Sequence, residues 1–205
     1  MVRKHMLSAV ASAAALLLAV PSIAMAQSTR HKTVTLNGGA TQVTLSEGFS
    51  NAVSSLGVKV GTIPTSTTYR GTVLFPITGG ALDLNTGLGN IIHAGGLTLT
   101  AGNTQAILES FIIDTTGATP VLTGLVVANG TLVGRLPLFD LVAPSGATLP
   151  LKPKGWLLTV QGVGLNLTSG AAAALNSVFS VDAFKGGFNV GTANVYAYAY
   201  HAHSW

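Results

Sequence analysis

The sequence has no cysteine and very little charge. Without cysteine, disulfide bridges, thiolate metal ligands and cysteine nucleophiles are excluded. Charged residues make up 8% of the chain, compared with about 25% of an ordinary soluble domain. Lysine and arginine form no cluster, so no nucleic acid partner is expected. Hydrophobic residues make up 48% of the chain and glycine is abundant, which is typical of an extracellular β-protein and argues against disorder.

The first residues have the pattern of a secretory signal. Arg3 and Lys4 precede an almost unbroken apolar run at residues 6–20. Ala24-Met25-Ala26 then gives the small-x-small pattern that signal peptidase accepts, with Gln27 as the next residue. A retained membrane anchor is the alternative, but a run of about 15 residues is shorter than the roughly 20 that cross a bilayer.

We therefore expect residues 1–26 to be a cleaved signal peptide and residues 27–205 to form a single β-rich domain, with residues 201–205 as a frayed tail. Without Arg3 and Lys4, eight lysines and arginines remain against six acids, a net charge of 8 − 6 = +2. No later segment is long and apolar enough to predict a transmembrane span. The predicted location is the medium, the periplasm or the cell surface.

Short apolar segments separated by turn signals dominate the rest of the chain. Gly102-Asn103 separates a strand at residues 97–100 from one at 104–113, and Asn129-Gly130 separates residues 121–128 from 131–136. Asn-Gly is the strongest short hairpin signal, because both residues tolerate the positive φ of a type I′ turn. Further strands are expected at residues 33–36, 71–75, 156–160, 163–167 and 193–200, and Pro76 is expected to end the second of these.

Two short helices interrupt this pattern. The first is expected after Ser46, whose hydroxyl can cap it, and is expected to end at Gly57. The second follows Thr168 or Ser169 and includes the alanine run 171–174. The predicted fold class is mainly β, with an antiparallel β-sandwich or a partly open barrel and two short helices.

The acidic residues give little sign of catalysis. They do not form a close pair in sequence, although residues distant in sequence, such as Asp83 and Asp114, can meet in a fold. Asp83-Leu-Asn85-Thr-Gly87 has the beginning of a calcium loop, but Ala94 stands where the loop would need its closing glutamate. An Asx-type hairpin turn is the favoured interpretation, and no metal site is predicted.

Five residues are candidates for ligand binding. His93 precedes Ala94-Gly95-Gly96, where a ligand can approach the backbone closely, but a strand-end histidine bonded to a carbonyl is the favoured interpretation. Alternation in the last strand places three tyrosines on one face and His201 and His203 on the other. The candidate ligand-binding residues are His93, Tyr69, Tyr196, Tyr198 and Tyr200.

Two segments resemble the bacterial Htaa domain of exported haem-uptake proteins. Phe75-Pro-Ile-Thr-Gly-Gly-Ala-Leu-Asp-Leu84 is similar to the core motif of that family. Leu167-Thr-Ser-Gly-Ala-Ala-Ala-Ala-Leu175, with Phe184 and Gly187, is similar to a later stretch. The resemblance implies an exported β-rich architecture and haem as a possible cofactor, with His93 or one of the tyrosines as the axial ligand. Thr78 stands at the family's histidine position, and a threonine cannot ligate haem iron as imidazole does.

The function predicted from these observations is that of an exported, non-catalytic binding or structural module without a cofactor. Its partner is either a surface molecule or a small ligand. The alternative is an Htaa-like protein that binds haem or a small apolar ligand. A third hypothesis, a hydrolase using scattered carboxylates such as Asp83 and Asp114, requires that two of them converge in a pocket.

Overall fold

The computed structural model describes residues 32–201. The expected signal peptide at residues 1–26 lies outside the described residues, as do residues 202–205 of the expected tail. The described part consists of eleven strands and two helices. In chain order they are β1 (Thr33–Leu45), α1 (Glu47–Ser55), β2 (Lys59–Ile63), β3 (Thr67–Tyr69), β4 (Thr72–Asp83), β5 (Gly89–His93), β6 (Gly96–Ala101), β7 (Thr104–Asp114), β8 (Val121–Ala128), β9 (Thr131–Val142), β10 (Leu157–Leu167), α2 (Ser169–Phe179) and β11 (Asn189–His201).

Eight of the strands close into an antiparallel barrel. The order around the barrel is β1-β4-β5-β7-β8-β9-β10-β11, and β11 pairs with β1 again. The remaining strands extend the sheet, because β6 pairs with β7, β2 pairs with β6, and β3 pairs with β4. The predicted class, mainly β with two short helices, is confirmed. Of the two predicted architectures the structure has the barrel, and the pairing of β7 with β8 closes it.

The two ends of the barrel are covered differently. Both helices lie at one end, which we call the helix end, since α1 follows β1 and α2 joins β10 to β11. The Ser46 hydroxyl accepts a bond from the Phe49 amide, and the Thr168 hydroxyl accepts one from the Ala171 amide, both at 3.1 Å. Both predicted helices and their caps are therefore confirmed. At the opposite end, the loop end, residues 143–156 run from β9 to β10 without regular structure.

The two predicted hairpins are also confirmed. Residues 102–103 connect β6 to β7, and Asn129 and Gly130, both with positive φ, connect β8 to β9. Apolar side chains on the inner faces of the strands form one core together with Phe49 and Val53 of α1. No helix within residues 32–201 is long and apolar enough to cross a membrane.

One prediction about strand ends was wrong. Pro76 does not end its strand, because β4 continues from Thr72 to Asp83. On one edge of β4, β3 pairs as far as Leu74 and β5 begins to pair at Ile77. Pro76 lies in the gap between these two partners, where its carbonyl oxygen accepts a bond from the Ala94 amide at 3.0 Å. Its missing N–H therefore removes no rung of the ladder, and this is how an interior strand accommodates a proline.

Candidate functional site

His93, the last residue of β5, points into the barrel and is 4% exposed. Its Nδ1 lies 3.3 Å from the carbonyl oxygen of Phe111, which can only accept, so Nδ1 carries the proton. Its Nε2 lies 2.7 Å from the hydroxyl of Thr41 and accepts the hydroxyl proton. Both ring nitrogens of His93 are thus hydrogen-bonded inside the core. This agrees with the interpretation favoured from the sequence, a histidine at the end of a strand that is bonded to a carbonyl.

Burial keeps the imidazole neutral. It lowers the pKa of His93 from 6.5 to about 4, against the opposing effect of the carbonyls of Phe111 and Ile91. The apolar void beside the ring, which Phe75 and Phe111 also line, has a volume of about 40 Å³. This space is far smaller than the roughly 300–1,000 Å³ of ordinary ligand pockets. A porphyrin therefore has no room at His93 in this conformation.

The three tyrosines of β11 point outward and the alanines between them point into the core, as the alternation predicts. The Tyr196 hydroxyl accepts a bond from the Gln161 amide at 2.6 Å. Tyr198 is 47% exposed and its ring passes over Gly38. Tyr200, near the loop end, meets the ring of Trp156 edge to face with 5.3 Å between centroids. The strip of aromatic rings along β11 therefore leads towards the loop end.

Tyr69 lies apart from this strip. It ends β3, where it pairs with Thr72 of β4, and Thr72 pairs with Thr44 near the helix end of β1. Its ring is 63% exposed, and the guanidinium of Arg70 lies 5.3 Å from the ring centroid. The structure brings Tyr196, Tyr198 and Tyr200 together along one strand, whereas Tyr69 and His93 lie elsewhere.

Tyr200 borders a groove with a volume of about 550 Å³ at the loop end. We call it the aromatic groove. Its floor consists of Val34, Leu84 and Ala199, which are nearly or fully buried. Its other lining residues within the described chain are Lys32, Pro153, Gly155, Trp156, Tyr200 and His201. It thus combines an apolar floor, an aromatic wall and cationic or basic side chains, and none of these residues is acidic.

A tight turn holds Trp156 at the groove. Lys154 and Leu157 exchange backbone hydrogen bonds of 2.9 and 3.1 Å, and Gly155 has the positive φ that this turn requires. The Trp156 carbonyl oxygen accepts a bond from the Ala199 amide at 2.7 Å, so the turn is fastened to β11. The indole itself is 67% exposed. Trp156 was predicted only as the first residue of a strand, not as part of a site, and β10 begins one residue later, at Leu157. The available signal was a tryptophan between Gly155 and an apolar run, after two lysines and a proline.

Within the described residues, no carboxylate lines the void at His93 or the aromatic groove. Asp83 accepts bonds from the amides of Asn85 and Thr86 at 2.7 and 3.1 Å, which is the expected Asx-type turn. The hydroxyl and amide of Thr116 bond to Asp114 and lower the pKa of its carboxyl. No group of three or more His, Asp or Glu side chains within residues 32–201 is arranged to hold a metal ion. Both aspartates therefore act as local turn acceptors.

Three solved structures are similar to this chain in fold. The C-terminal domain of HtaA from Corynebacterium glutamicum is similar with a TM-score of 0.62 and 16% identity, over 81% of this chain and 99% of that domain. The chain has the HtaA fold. The N-terminal domain of HtaA from the same organism is similar with a TM-score of 0.59 and 12% identity, over 79% of this chain and 98% of that domain. The heme-binding protein HtaB from Corynebacterium glutamicum is similar with a TM-score of 0.53 and 12% identity, over 82% of this chain and 96% of that protein.

No family profile and no curated protein matches the sequence. The two segments that resemble the Htaa domain form defined elements of this structure. Phe75 to Leu84 covers β4 from its fourth residue and one residue beyond it, and Leu167 to Leu175 is the end of β10, the Thr168 cap and the first turns of α2. Thr78 lies on the exposed side of β4, where its hydroxyl donates to the Ile92 carbonyl at 3.3 Å. Both segments thus form regular elements of the barrel and its second helix.

Proposed function

We propose that this chain is an exported, non-catalytic binding module that holds a planar carboxylate ligand in the aromatic groove. The groove itself is the observation that carries the proposal. Its volume is about 550 Å³, within the range of pockets for small ligands. Its floor of Val34, Leu84 and Ala199 is apolar. The exposed rings of Trp156 and Tyr200 offer the contact surface for a flat molecule.

The charges of the groove select the class of ligand. Lys32 and His201 stand at its rim, and no acidic side chain is among its lining residues in the described chain. An ammonium group favours a carboxylate at the edge of a ligand. The exposed indole of Trp156, supported edge-on by Tyr200, favours an aromatic or conjugated ring. A flat conjugated body with peripheral carboxylates satisfies all of these groups.

Haem is a specific member of this ligand class with further support, because HtaB, which is similar in fold, is described as heme-binding. Of the five candidate ligand-binding residues, Tyr200 is the one whose side chain lines the aromatic groove, and His201, which also lines it, carries an imidazole. His93 does not fit, because both its nitrogens are bonded inside the core. We therefore propose Tyr200 as the residue that would hold the iron, since a phenolate is a known axial ligand, with His201 as the alternative.

Titration with haemin and with iron-free protoporphyrin IX separates binding of the planar carboxylate body from ligation of its iron. We expect Trp156→Ala and Lys32→Gln each to weaken binding of both porphyrins about tenfold, a loss of about 1.4 kcal/mol. Tyr200→Phe should alter the Soret band of the haemin complex and leave the affinity for the iron-free porphyrin unchanged.

Tyr69→Phe is the matched control for Tyr200→Phe, because Tyr69 is an exposed tyrosine far from the aromatic groove. A Soret spectrum insensitive to Tyr200→Phe eliminates iron ligation by this residue. Binding that is unaffected by Trp156→Ala and Lys32→Gln, or no binding of either porphyrin, contradicts the assignment of the groove. Turnover of peptides, esters or glycans by the pure protein contradicts the non-catalytic part of the proposal.

The export part of the proposal predicts a defined processing product. Intact mass measurement of the exported protein should give a chain that begins at Gln27. Ala26→Trp should block cleavage, because the peptidase accepts small residues at this position, whereas Met25→Leu, at the unrestricted middle position, should be processed normally. Recovery of the full-length chain from the membrane fraction would contradict this.

A further inference from the structure

A second cavity lies inside the barrel at the loop end, and we call it the end cavity. Its volume is about 190 Å³. Leu82, Ile113 and Val195 contribute to its walls from three different strands, and Ala147 and Leu151 of the 143–156 loop cover it. The end cavity is separate from the aromatic groove in its lining residues.

The end cavity offers nothing to hold water. The one side chain with a polar group among its lining residues in the described chain is Thr115. The Thr115 hydroxyl already lies 2.7 Å from the Gly87 carbonyl oxygen and 3.1 Å from that of Gly89, to which it donates. A buried water needs two to four polar partners, and an apolar cavity without them stays dry. An apolar occupant replaces empty space by dispersion contacts without removing any hydrogen bond.

The size of the end cavity fixes the size of its occupant. An engineered apolar cavity of about 150 Å³ in another protein binds benzene or xenon. At about 190 Å³, the end cavity is of the size for one substituted ring or a short branched hydrocarbon. Longer chains or fused rings require that the covering loop move outward.

The covering loop supplies a route of entry. Residues 143–156 form a long connection without regular structure, and such connections in compact domains are commonly functional. The backbone of the loop is tied to the barrel at Leu151, whose amide donates to the Leu84 carbonyl at 2.7 Å. The prolines at 144, 150 and 153 have no backbone N–H and so limit the other hydrogen bonds that the loop can make. The side chain of Leu149 in the same loop is exposed. The loop is therefore the part of the cavity wall that can open at least cost.

We propose that the end cavity is a binding site for a small, uncharged, apolar molecule of about one ring, which enters beneath the 143–156 loop. The site is independent of the aromatic groove, so either assignment can fail while the other stands. Its specificity comes mainly from volume, because Thr115, the one polar side chain in its described walls, already donates its proton to backbone carbonyl oxygens. Polar or charged analogues of the same size are rejected, since burying them without a partner is unfavourable.

Xenon and toluene test the site directly. In methyl-resolved NMR spectra of the purified protein, both should shift the methyl signals of Ile113, Val195 and Leu151 and leave those of Val53, near the helix end, unchanged. Phenol, which is similar in size to toluene but carries a hydroxyl, should bind at least about tenfold more weakly. Absence of shifts at the three cavity methyls with both probes overturns the proposal.

Variants of the cavity wall make the test specific. Ala193→Leu places a larger side chain in the end cavity from β11 and should weaken toluene binding at least about tenfold. Ala173→Leu, the same substitution on the exposed face of α2, is the matched control and should leave binding unchanged. Leu151→Ala enlarges the cavity and should admit naphthalene, so this variant tests the site even if Ala193→Leu fails to fold. Unaltered toluene binding in Ala193→Leu, or no gain of naphthalene binding in Leu151→Ala, overturns the assignment.

Discussion

The free energy of unfolding should fall by about 3 kcal/mol as the pH is lowered from about 6.5 to about 4, through His93 alone. Burial lowers the pKa of this imidazole to about 4 in the folded protein, whereas the unfolded chain has the ordinary value of 6.5. Between these values the unfolded chain binds a proton that the folded chain does not bind. Protonation therefore favours unfolding in this window, and the contribution of neutral His93 is fully present above it.

Urea unfolding at a series of pH values measures this effect against a variant. His93→Gln keeps a polar side chain that can bond to Thr41 but does not titrate, so its stability should not show the His93 component of the fall. The difference between the two curves isolates this component from every other pH dependence of stability that the two proteins share. His201→Gln, at an exposed histidine, is the matched control and should follow the parent protein. Parallel curves for the parent and His93→Gln would show that His93 does not titrate as its burial requires.

The local parts of this fold are predictable because short segments determine them. Asn129-Gly130 forms a hairpin turn and Ser46 and Thr168 cap helices because each feature depends on a few adjacent residues. The passage of β4 through Pro76 is not local, since it depends on where β3 stops and β5 starts along the same edge. The closure of the sheet likewise depends on pairings between strands far apart in sequence.

The candidate site was predictable to the same extent. Strict alternation in β11 was enough to place Tyr196, Tyr198 and Tyr200 on one outward face. In β5, by contrast, Ile91 and Ile92 are adjacent and either one can face the core. The structure buries Ile91 and leaves Ile92 40% exposed, which places His93 inside the barrel. The aromatic groove was not predictable, because it forms where an irregular loop meets the last strand.

The second large effect is expected at the glycine bend of β1. Pairing between β1 and β4 is interrupted between the pair Thr35–Ala81 and the pair Ala40–Pro76. On the other edge, the register of β1 with β11 shifts between Leu36 and Gly39, which marks a β-bulge. Where the pairing of β1 with β4 is interrupted, each of these two strands has a glycine with positive φ: Gly39 in β1, at 93°, and Gly80 in β4, at 136°. Bulges and glycine bends of this kind allow a sheet to curve into a closed barrel.

Gly39→Ala should therefore lower the free energy of unfolding by about 3 kcal/mol or more. A methyl group at this position would overlap the carbonyl oxygen of Tyr196 on β11, so the backbone of two neighbouring strands would have to move apart. Gly130→Ala is the matched control, because Gly130 also has a positive φ, of 79°, but no atom lies near its missing side chain.

The control separates the two costs of the substitution. Gly130→Ala should lose about 1–2 kcal/mol, the cost of left-handed backbone for an L-residue alone, and the excess loss in Gly39→Ala measures the collision between strands. Equal losses in urea unfolding would mean that β1 and β11 separate easily at the bulge. In that case the close approach of Gly39 to the Tyr196 backbone would not be needed to hold the barrel closed. The backbone of β1 would then also not fix the position of the three tyrosines of β11.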